Sequence, residues 1–458
     1  MSKRVHIRTL GCRLNEAEST RWARALQSEG WELCASPEQA EVVVLHSCAV
    51  TEVAYGKTKA LLRRLQRRAP EAQHVLCGCA VDFEAMLGEA SGADALRSAI
   101  GTVLALPNAR KGELVEYLRA WGAADGAVQA NAAGGFVLGR TRAFVKVQDG
   151  CRGGCHYCIV PKLRGPERSI PARQVLEQIQ ALERDGLKEV VLTGVQLGAY
   201  RDGKTDLAEL LGMILAETGI ARLRLSSVES WAIELSGSAR FFARWKDARL
   251  CPHLHLPVQS ASAQLREAMG RRDSLSAYRA VLDMARAQIA GLSVSTDVLV
   301  GYPAESAAHW EENLRNLEQM AFSDLHLFSY SPRQGTVAAR LPEQVAEETK
   351  RARCAEAAAL GRELKRRWLG SQLGTVHEVL WESRRASKVP RWGGYTGNFI
   401  RVEGGISAEL GKTGQVPNVQ ELGKTGQVPN VQELRNTLQR VRLRCLRADD
   451  VMEVEALD

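Results

Sequence analysis

The chain has 458 residues, with 61 Lys and Arg against 53 Asp and Glu, a net charge of +8, 45% hydrophobic residues and 25% charged ones. That length exceeds one ordinary core and points to two or three domains of an ordinary globular composition. No apolar run reaches the ~20 residues of a membrane span, no signal-peptide pattern opens the chain, and 11 cysteines, an odd count, argue against a disulfide framework; the expectation is a cytoplasmic protein with no membrane association.

Residues 1–122 alternate strands and helices. VHIRTL reads as a strand, and a polar helix follows over about 16–29. VVVLHS (42–47) is the continuous apolar run of a buried parallel strand. A basic helix covers about 57–68, and HVLCGC (74–79) is the next strand. This is an open parallel α/β domain. Cys12, Cys48 and Cys79 each fall just past the carboxyl end of a strand, the edge where open α/β sheets bind ligands. Cys77, two residues before Cys79, is expected on the same face of its strand and competes for the same role.

The small, Gly/Ala-rich stretch 123–140 reads as a linker. From 141 to 369 six strand-like segments (RAFVKVQ, EVVLTGV, RLRLSS, HLHLPV, LSVSTDVLV, DLHLFSY) alternate with helical ones, which predicts a partial (β/α) barrel with its chemistry at the carboxyl ends of the strands. A basic helix closes this region over about 343–369. Residues 370–455 change to short strands with turn residues (TVHEVLWE, NFIRVEG, VRLRCL), a small all-β module. Inside it ELGKTGQVPNVQ is repeated in tandem over 409–432. Two copies without a periodic apolar face are too few for a solenoid and read as a loop expansion.

The chemistry centres on Cys151, Cys155 and Cys158, a CxxxCxxC triad. A [4Fe–4S] cube takes four thiolates, so three cysteines leave one iron open to a small molecule. Gly150, Gly153 and Gly154 let one loop wrap three corners, and Tyr157 offers an aromatic face beside it. The competing reading is a zinc loop with His156, but no second cysteine pair follows at zinc spacing. Cys12, Cys48 and Cys79 converge on one sheet edge either as a second such site or as buried core thiols. Cys34, Cys251, Cys354 and Cys445 stand alone and read as packing residues.

These stretches resemble the methylthiotransferases of the radical S-adenosylmethionine superfamily over nearly the whole chain. TLGCRLNEAES, LHSCAVT and LCGCA resemble the family's three dispersed cysteine motifs, which implies that Cys12, Cys48 and Cys79 ligate a second [4Fe–4S] cluster. VQDGCRGGCHYCIVP carries the radical triad. LTGVQLGAY, RLSSVES, HLHLPVQSAS, STDVLVGYPAES and LHLFSYSPRQGT resemble the family's strand ends, which implies that Gly194, Glu229, Gln259, Ser260 and Asp297, with Tyr157, line the S-adenosylmethionine pocket. Each of these could equally cap a strand. The C-terminal module resembles a TRAM domain, a small RNA-binding β-barrel. Its Arg384, Arg385, Lys388 and Arg391 lie near Trp392 and Tyr395, a mix that suits phosphate contact with base stacking, or simply a solvated charged face.

The resemblance implies tRNA as substrate and a reducing electron donor. It also implies cleavage of S-adenosylmethionine to a 5′-deoxyadenosyl radical, hydrogen abstraction from C2 of an adenosine, and sulfur delivery from the second site. Of the family's branches, TLGCRLN, RGPERSIP and GGYTGNFIRV look like the one acting on N6-threonylcarbamoyladenosine 37 of tRNA; the branch acting on N6-isopentenyladenosine is the first alternative. Arg164, Glu167 and Arg168 are expected to read the carboxylate of the threonylcarbamoyl group, since arginine pairs carboxylates bidentately. His46 and Ser47 depart from the family's usual Asn-Thr and place a titratable ring near the second triad. A non-catalytic RNA-binding protein with structural zinc is the alternative of another class.

Overall fold

A computed structural model describes residues 3–87, 103–123, 141–385, 391–405 and 435–457. The tandem repeat 409–432 and Lys388 lie outside the described residues, as do the side chains of Arg384 and Arg385.

Five parallel strands form the N-terminal sheet: β1 (Arg4–Thr9), β2 (Glu32–Leu33), β3 (Val42–Ser47), β4 (Gln73–Gly78) and β5 (Leu104–Leu106), in the order β2-β1-β3-β4-β5. All six residues of β3 are buried, as the uninterrupted apolar run requires of a central parallel strand. Its alternate residues serve opposite faces. Val42 and Val44 pack with Trp22 and Leu26 of α1 (Arg13–Ser28), and Val43 and Leu45 pack with Leu61, Leu62 and Leu65 of α2 (Glu52–Arg68). α1 begins three residues before the expected start, directly after Cys12, because Leu14 and Asn15 are buried and count as core positions despite the polar sequence around them. α3 (Cys79–Leu87) starts on the third dispersed cysteine.

The central region holds β6 (Arg142–Lys146), β9 (Glu189–Thr193), β12 (Arg222–Leu225), β13 (His253–His255), β14 (Ser293–Val300) and β15 (Asp324–Ser329). They form two parallel three-stranded sheets, β6-β9-β12 and β13-β14-β15, joined by single bridges at Leu223–Leu250 and Ser227–His255. Two small antiparallel pairs, β7 (Gln148–Asp149) with β8 (Arg168–Ser169) and β10 (Arg201–Asp202) with β11 (Thr205–Asp206), decorate this open six-stranded barrel. One apolar core runs beneath it from Ala143 to Leu364. The expected strand HLHLPV stops at His255. Pro257 donates no N–H, and Gln259 holds φ at +63°, so the chain leaves the sheet there.

The helix Glu347–Ser371 leads into a closed barrel of β16 (Val376–Arg385), β17 (Arg391–Thr396), β18 (Arg401–Gly405), β19 (Leu438–Leu446) and β20 (Met452–Ala456), in the order β16-β17-β18-β20-β19. The architecture is mixed α/β, with an N-terminal parallel sheet, a partial barrel and a small closed β-barrel. No helix among the described residues is long and apolar enough to cross a membrane.

Candidate functional site

One cysteine triad lies at the edge of the N-terminal sheet, the other in a loop of the central barrel. Cys12 is the N-cap of α1, Cys48 follows β3, and Cys79 opens α3. They form one cluster: burial pushes the Cys48 thiol up to about 11, and charges on Cys79 and Cys12 push the same way. Gly11 makes the approach possible. It holds φ at +114°, and a Cβ there would lie 2.8 Å from Cys48 Cβ. Cys77 does not share the face of Cys79. It is fully buried in the core on the α1 side of the sheet, its Sγ 3.7 Å from the Leu45 carbonyl, because Cys79 has already left the strand for α3.

Cys151, Cys155 and Cys158 lie in the loop that follows β7. Burial raises the Cys158 thiol to about 12, with charges on Cys155 and Cys151 adding to it, and burial likewise raises Cys151. Gly150 holds φ at +75°, and a Cβ there would strike the Pro166 carbonyl oxygen at 2.0 Å. The Gly153 N–H donates to Cys151 Sγ at 3.1 Å, a polarised contact suited to a sulfur that carries charge.

The spacing of the thiols bears on what they can hold. Three thiolates on one zinc ion at ~2.3 Å would lie roughly 3.8 Å apart. Among the described residues the one trio with all its ligand atoms within 4.8 Å of one another is His255, Asp297 and His326, and neither cysteine triad meets that spacing. As they stand, neither set of three sulfurs is gathered as a single zinc ion would gather it.

A cavity of about 640 Å³ lies between the units. Cys12, Cys48, Cys79 and Arg13 line one side; Gly194, Ser226, Ser227, His255, Asp297, His326 and Phe328 line the other. His255 Nε2 is 3.2 Å and His326 Nδ1 3.5 Å from Asp297 Oδ1, and the two imidazoles stack at 5.0 Å. Ser295 Oγ, 2.8 Å from His255 Nδ1, fixes the first ring. Burial pushes the Asp297 carboxyl up, but its bonds to the two histidines prevail and hold it well below the usual range.

Of the other expected pocket residues, Tyr157 is in the 151/155/158 loop and Glu229 reaches it through Arg271. Tyr157 packs against the small core of Leu265, Met269, Leu299, Tyr302 and Tyr330. Glu229 is ion-paired with Arg271, whose Nη1 lies 3.8 Å from Cys155 Sγ. Gln259 bridges the main chain of β14, accepting from the Leu299 N–H at 2.8 Å and donating to the Asp297 carbonyl at 2.9 Å. Ser260 is buried and accepts from the Ser262 N–H at 3.2 Å. Gly194 leaves room for Gln148, whose Oε1 would sit 2.9 Å from a Cβ. Arg13, Arg271 and His326 were missed in the sequence. Nothing in their local pattern sets them apart, and only the tertiary fold brings them to the cavity or the cysteine loop.

Several expected substrate residues are placed otherwise. Arg164 is buried and lines the cavity, with Nη1 on Asp149 Oδ1 at 2.9 Å and Nη2 on Asn15 Oδ1 at 2.6 Å. Glu167 accepts from the Arg152 N–H at 2.6 Å, and exposed Arg168 reaches back to the Arg164 carbonyl at 3.4 Å. Trp392 lies in the core of the C-terminal barrel, so it offers no face for base stacking. Tyr395 stacks on Phe399 at 5.0 Å beneath the Arg142 guanidinium, at the contact with the central barrel. Arg391 pairs with Glu453 at 2.9 Å. His46 faces away from the second triad. It is fully buried against Trp22 and bonded to Ser19 Oγ at 3.0 Å, while Ser47 Oγ donates to the Cys77 carbonyl at 2.6 Å.

Residues 145–317 match the Radical SAM superfamily, and residues 4–95 match a family described as Uncharacterized protein family UPF0004. The chain is 32% identical to a tRNA-2-methylthio-N(6)-dimethylallyladenosine synthase of Chlorobium phaeobacteroides, over 87% of this chain and 91% of that one. It is also 32% identical to the threonylcarbamoyladenosine tRNA methylthiotransferase MtaB of Thermotoga maritima, over 83% and 87%, and 29% identical to that of Bacillus subtilis, over 87% and 89%. In fold it is similar to the radical S-adenosylmethionine methyltransferase TsrM of Kitasatospora setae, with a TM-score of 0.54 at 12% identity over 74% of this chain and 77% of that one. Two cysteine triads, a six-stranded open barrel and these likenesses agree: the chain belongs to the radical S-adenosylmethionine methylthiotransferase family.

Proposed function

We propose that the protein inserts a methylthio group at C2 of N6-threonylcarbamoyladenosine 37 of tRNA. The observation that carries the reaction type is the cavity with one cysteine triad on its wall and the other in the adjoining barrel loop. Cys151, Cys155 and Cys158 hold a [4Fe–4S] cluster, which when bound supplies reductive cleavage of S-adenosylmethionine with an electron from an external donor. Cys12, Cys48 and Cys79 hold the second cluster, on the sulfur-donating side of the cavity. The protein's part is to admit one nucleobase between them, orient its C2 and keep water from a reactive intermediate.

Arg13 supports the threonylcarbamoyl substrate over the isopentenyl one. It follows Cys12, lines the cavity, and makes no hydrogen bond or ion pair with the described residues. Burial lowers its pKa and the like charges of Arg142 and Arg224 add to this, with the carboxylates of Glu16 and Asp297 opposing. A guanidinium so placed gains from a bidentate carboxylate, which the threonyl group carries and an isopentenyl group lacks.

Mass spectrometry of tRNA nucleosides from a deletion strain and its complemented counterpart tests the substrate. Loss and recovery of the 2-methylthio derivative of threonylcarbamoyladenosine is expected; loss of the isopentenyl derivative instead overturns the assignment. Replacing Cys151, Cys155 and Cys158 with Ala should end 5′-deoxyadenosine formation. Replacing Cys12, Cys48 and Cys79 should leave that formation intact and end methylthiolation. Stoichiometric zinc in place of iron and sulfide after anaerobic reconstitution would return the protein to a non-catalytic RNA-binding role.

A further inference from the structure

We propose that Arg164, with the five-residue helix Val160–Arg164 that carries it, is a positioning strap that holds the 12/48/79 site in register with the 151/155/158 loop. The inference rests on the two-site reading above. The helix starts two residues after Cys158 and ends in Gly165, whose carbonyl accepts from the Cys151 N–H at 3.0 Å. Pro166 then presses on Gly150. The segment is thus clamped to both ends of the radical-site loop.

The same segment touches the surroundings of all three dispersed cysteines. Arg164 Nη2 donates to Asn15 Oδ1, and Asn15 Nδ2 donates to the Leu10 carbonyl at 2.8 Å and the Ser47 carbonyl at 3.0 Å. One amide therefore staples the approach to Cys12 and the residue before Cys48. Asn108 Nδ2 donates to the Leu163 carbonyl at 2.9 Å and lies 3.5 Å from Cys79 Sγ. Arg164 Nη1 meets Asp149, two residues before Cys151, and Asp149 Oδ1 also accepts from the Gly150 N–H at 2.9 Å. Leu163 and Ile159 pack into the N-terminal core beside Cys79 and Phe83, so the strap is anchored by apolar contact as well.

Two effects follow and can be separated. The fork is geometric, because only a planar guanidinium bonds Asp149 and Asn15 together. The charge is electrostatic, because a buried cation beside Cys12 and Cys79 favours the more negative, reduced state of whatever those sulfurs hold. Arg164→Met removes both effects, and Arg164→Lys keeps the charge and loses the fork.

The first measurement is potentiometric electron paramagnetic resonance on the reconstituted full chain carrying Cys151→Ala, Cys155→Ala and Cys158→Ala, so that one cluster is read without turnover. Arg164→Met should move the midpoint potential lower, and Arg164→Lys should leave it near the unsubstituted value. The second measurement is the ratio of 5′-deoxyadenosine to methylthio product with the six cysteines intact. Both variants should raise it, on the order of tenfold to a hundredfold for a displacement near 1 Å. Asn108→Ala breaks one tie and also removes the N–H beside Cys79 Sγ, so it should raise the ratio and move the potential lower as well. An unaltered potential in Arg164→Met, or unaltered coupling in both Arg164→Lys and Asn108→Ala, overturns the strap. The potential is read on the protein alone, so a different nucleoside in the tRNA analysis overturns the substrate assignment and not this role.

Discussion

Gly150 shows how much one residue fixes here. At φ +75° an L side chain costs ~1–2 kcal/mol, and its Cβ would also occupy the position of the Pro166 carbonyl oxygen. Gly150→Ala should open the Cys151 loop and lower iron content toward one cluster per chain, with the 12/48/79 site intact; iron and sulfide analysis checks it. Cys77 gives the opposite expectation. Its thiol is pushed up by burial and packs among Val42, Val44 and Val75. Cys77→Ala should keep full iron content and cost about 1 kcal/mol of stability, read by thermal unfolding. Cys79→Ala should lose the second cluster.

At the scale of elements, β9 and β12 meet the C-terminal barrel through a buried charge group. Glu189 Oε1 accepts from Arg224 Nε at 2.9 Å, and Glu189 Oε2 pairs with Arg222 at 3.0 Å. Both guanidinia then donate to carbonyls of the following turn: Arg222 to Tyr395 at 3.1 Å, Arg224 to Gly397 at 2.8 Å and Thr396 at 3.3 Å. Burial raises the Glu189 carboxyl, and the charges of Arg224 and Arg222 prevail and hold it at about 2. A carboxyl held below its ordinary value stabilises the fold above about pH 4.5 and loses that contribution as pH falls towards 2. Acid should therefore loosen this contact. Limited proteolysis between pH 7 and 3 should release the C-terminal barrel before the central one unfolds. Glu189→Gln should be weaker at neutral pH and show less of this acid dependence.

At the scale of the whole molecule, the three units are fastened by polar locks around a shared interior. Phe399, at φ +68°, stacks on Tyr395 and lies under Arg224 at 4.7 Å and Arg142 at 5.4 Å. Phe399→Ala should cost about 2 kcal/mol at this half-buried contact. It should weaken tRNA binding more than S-adenosylmethionine cleavage, as filter binding and 5′-deoxyadenosine assays on one preparation would show. On the other side Arg333 Nη1 bonds Glu52 at 2.5 Å and lies 3.9 Å over Phe83, tying the central barrel to the N-terminal sheet. These ties keep the wall that bears Cys12, Cys48 and Cys79 facing the barrel mouth.

The sequence by itself determined the mixed α/β architecture and the reaction class. Apolar runs such as VVVLHS are buried strands by composition alone, and CxxxCxxC is a local motif whose spacing already states its chemistry. Tertiary structure decided the roles that depend on partners distant in the chain. The fork of Arg164 suits a carboxylate, and the fold gives it two internal partners, Asp149 and Asn15, the latter 149 residues away. Trp392 looked like a stacking platform, yet its place in the closed strand order puts it in the core. Arg13, with no local pattern to mark it, reaches the cavity as the first residue of α1, directly after Cys12. A motif declares its chemistry through neighbours in sequence. The use of a long polar side chain is settled by whichever partner the fold brings within about 3 Å.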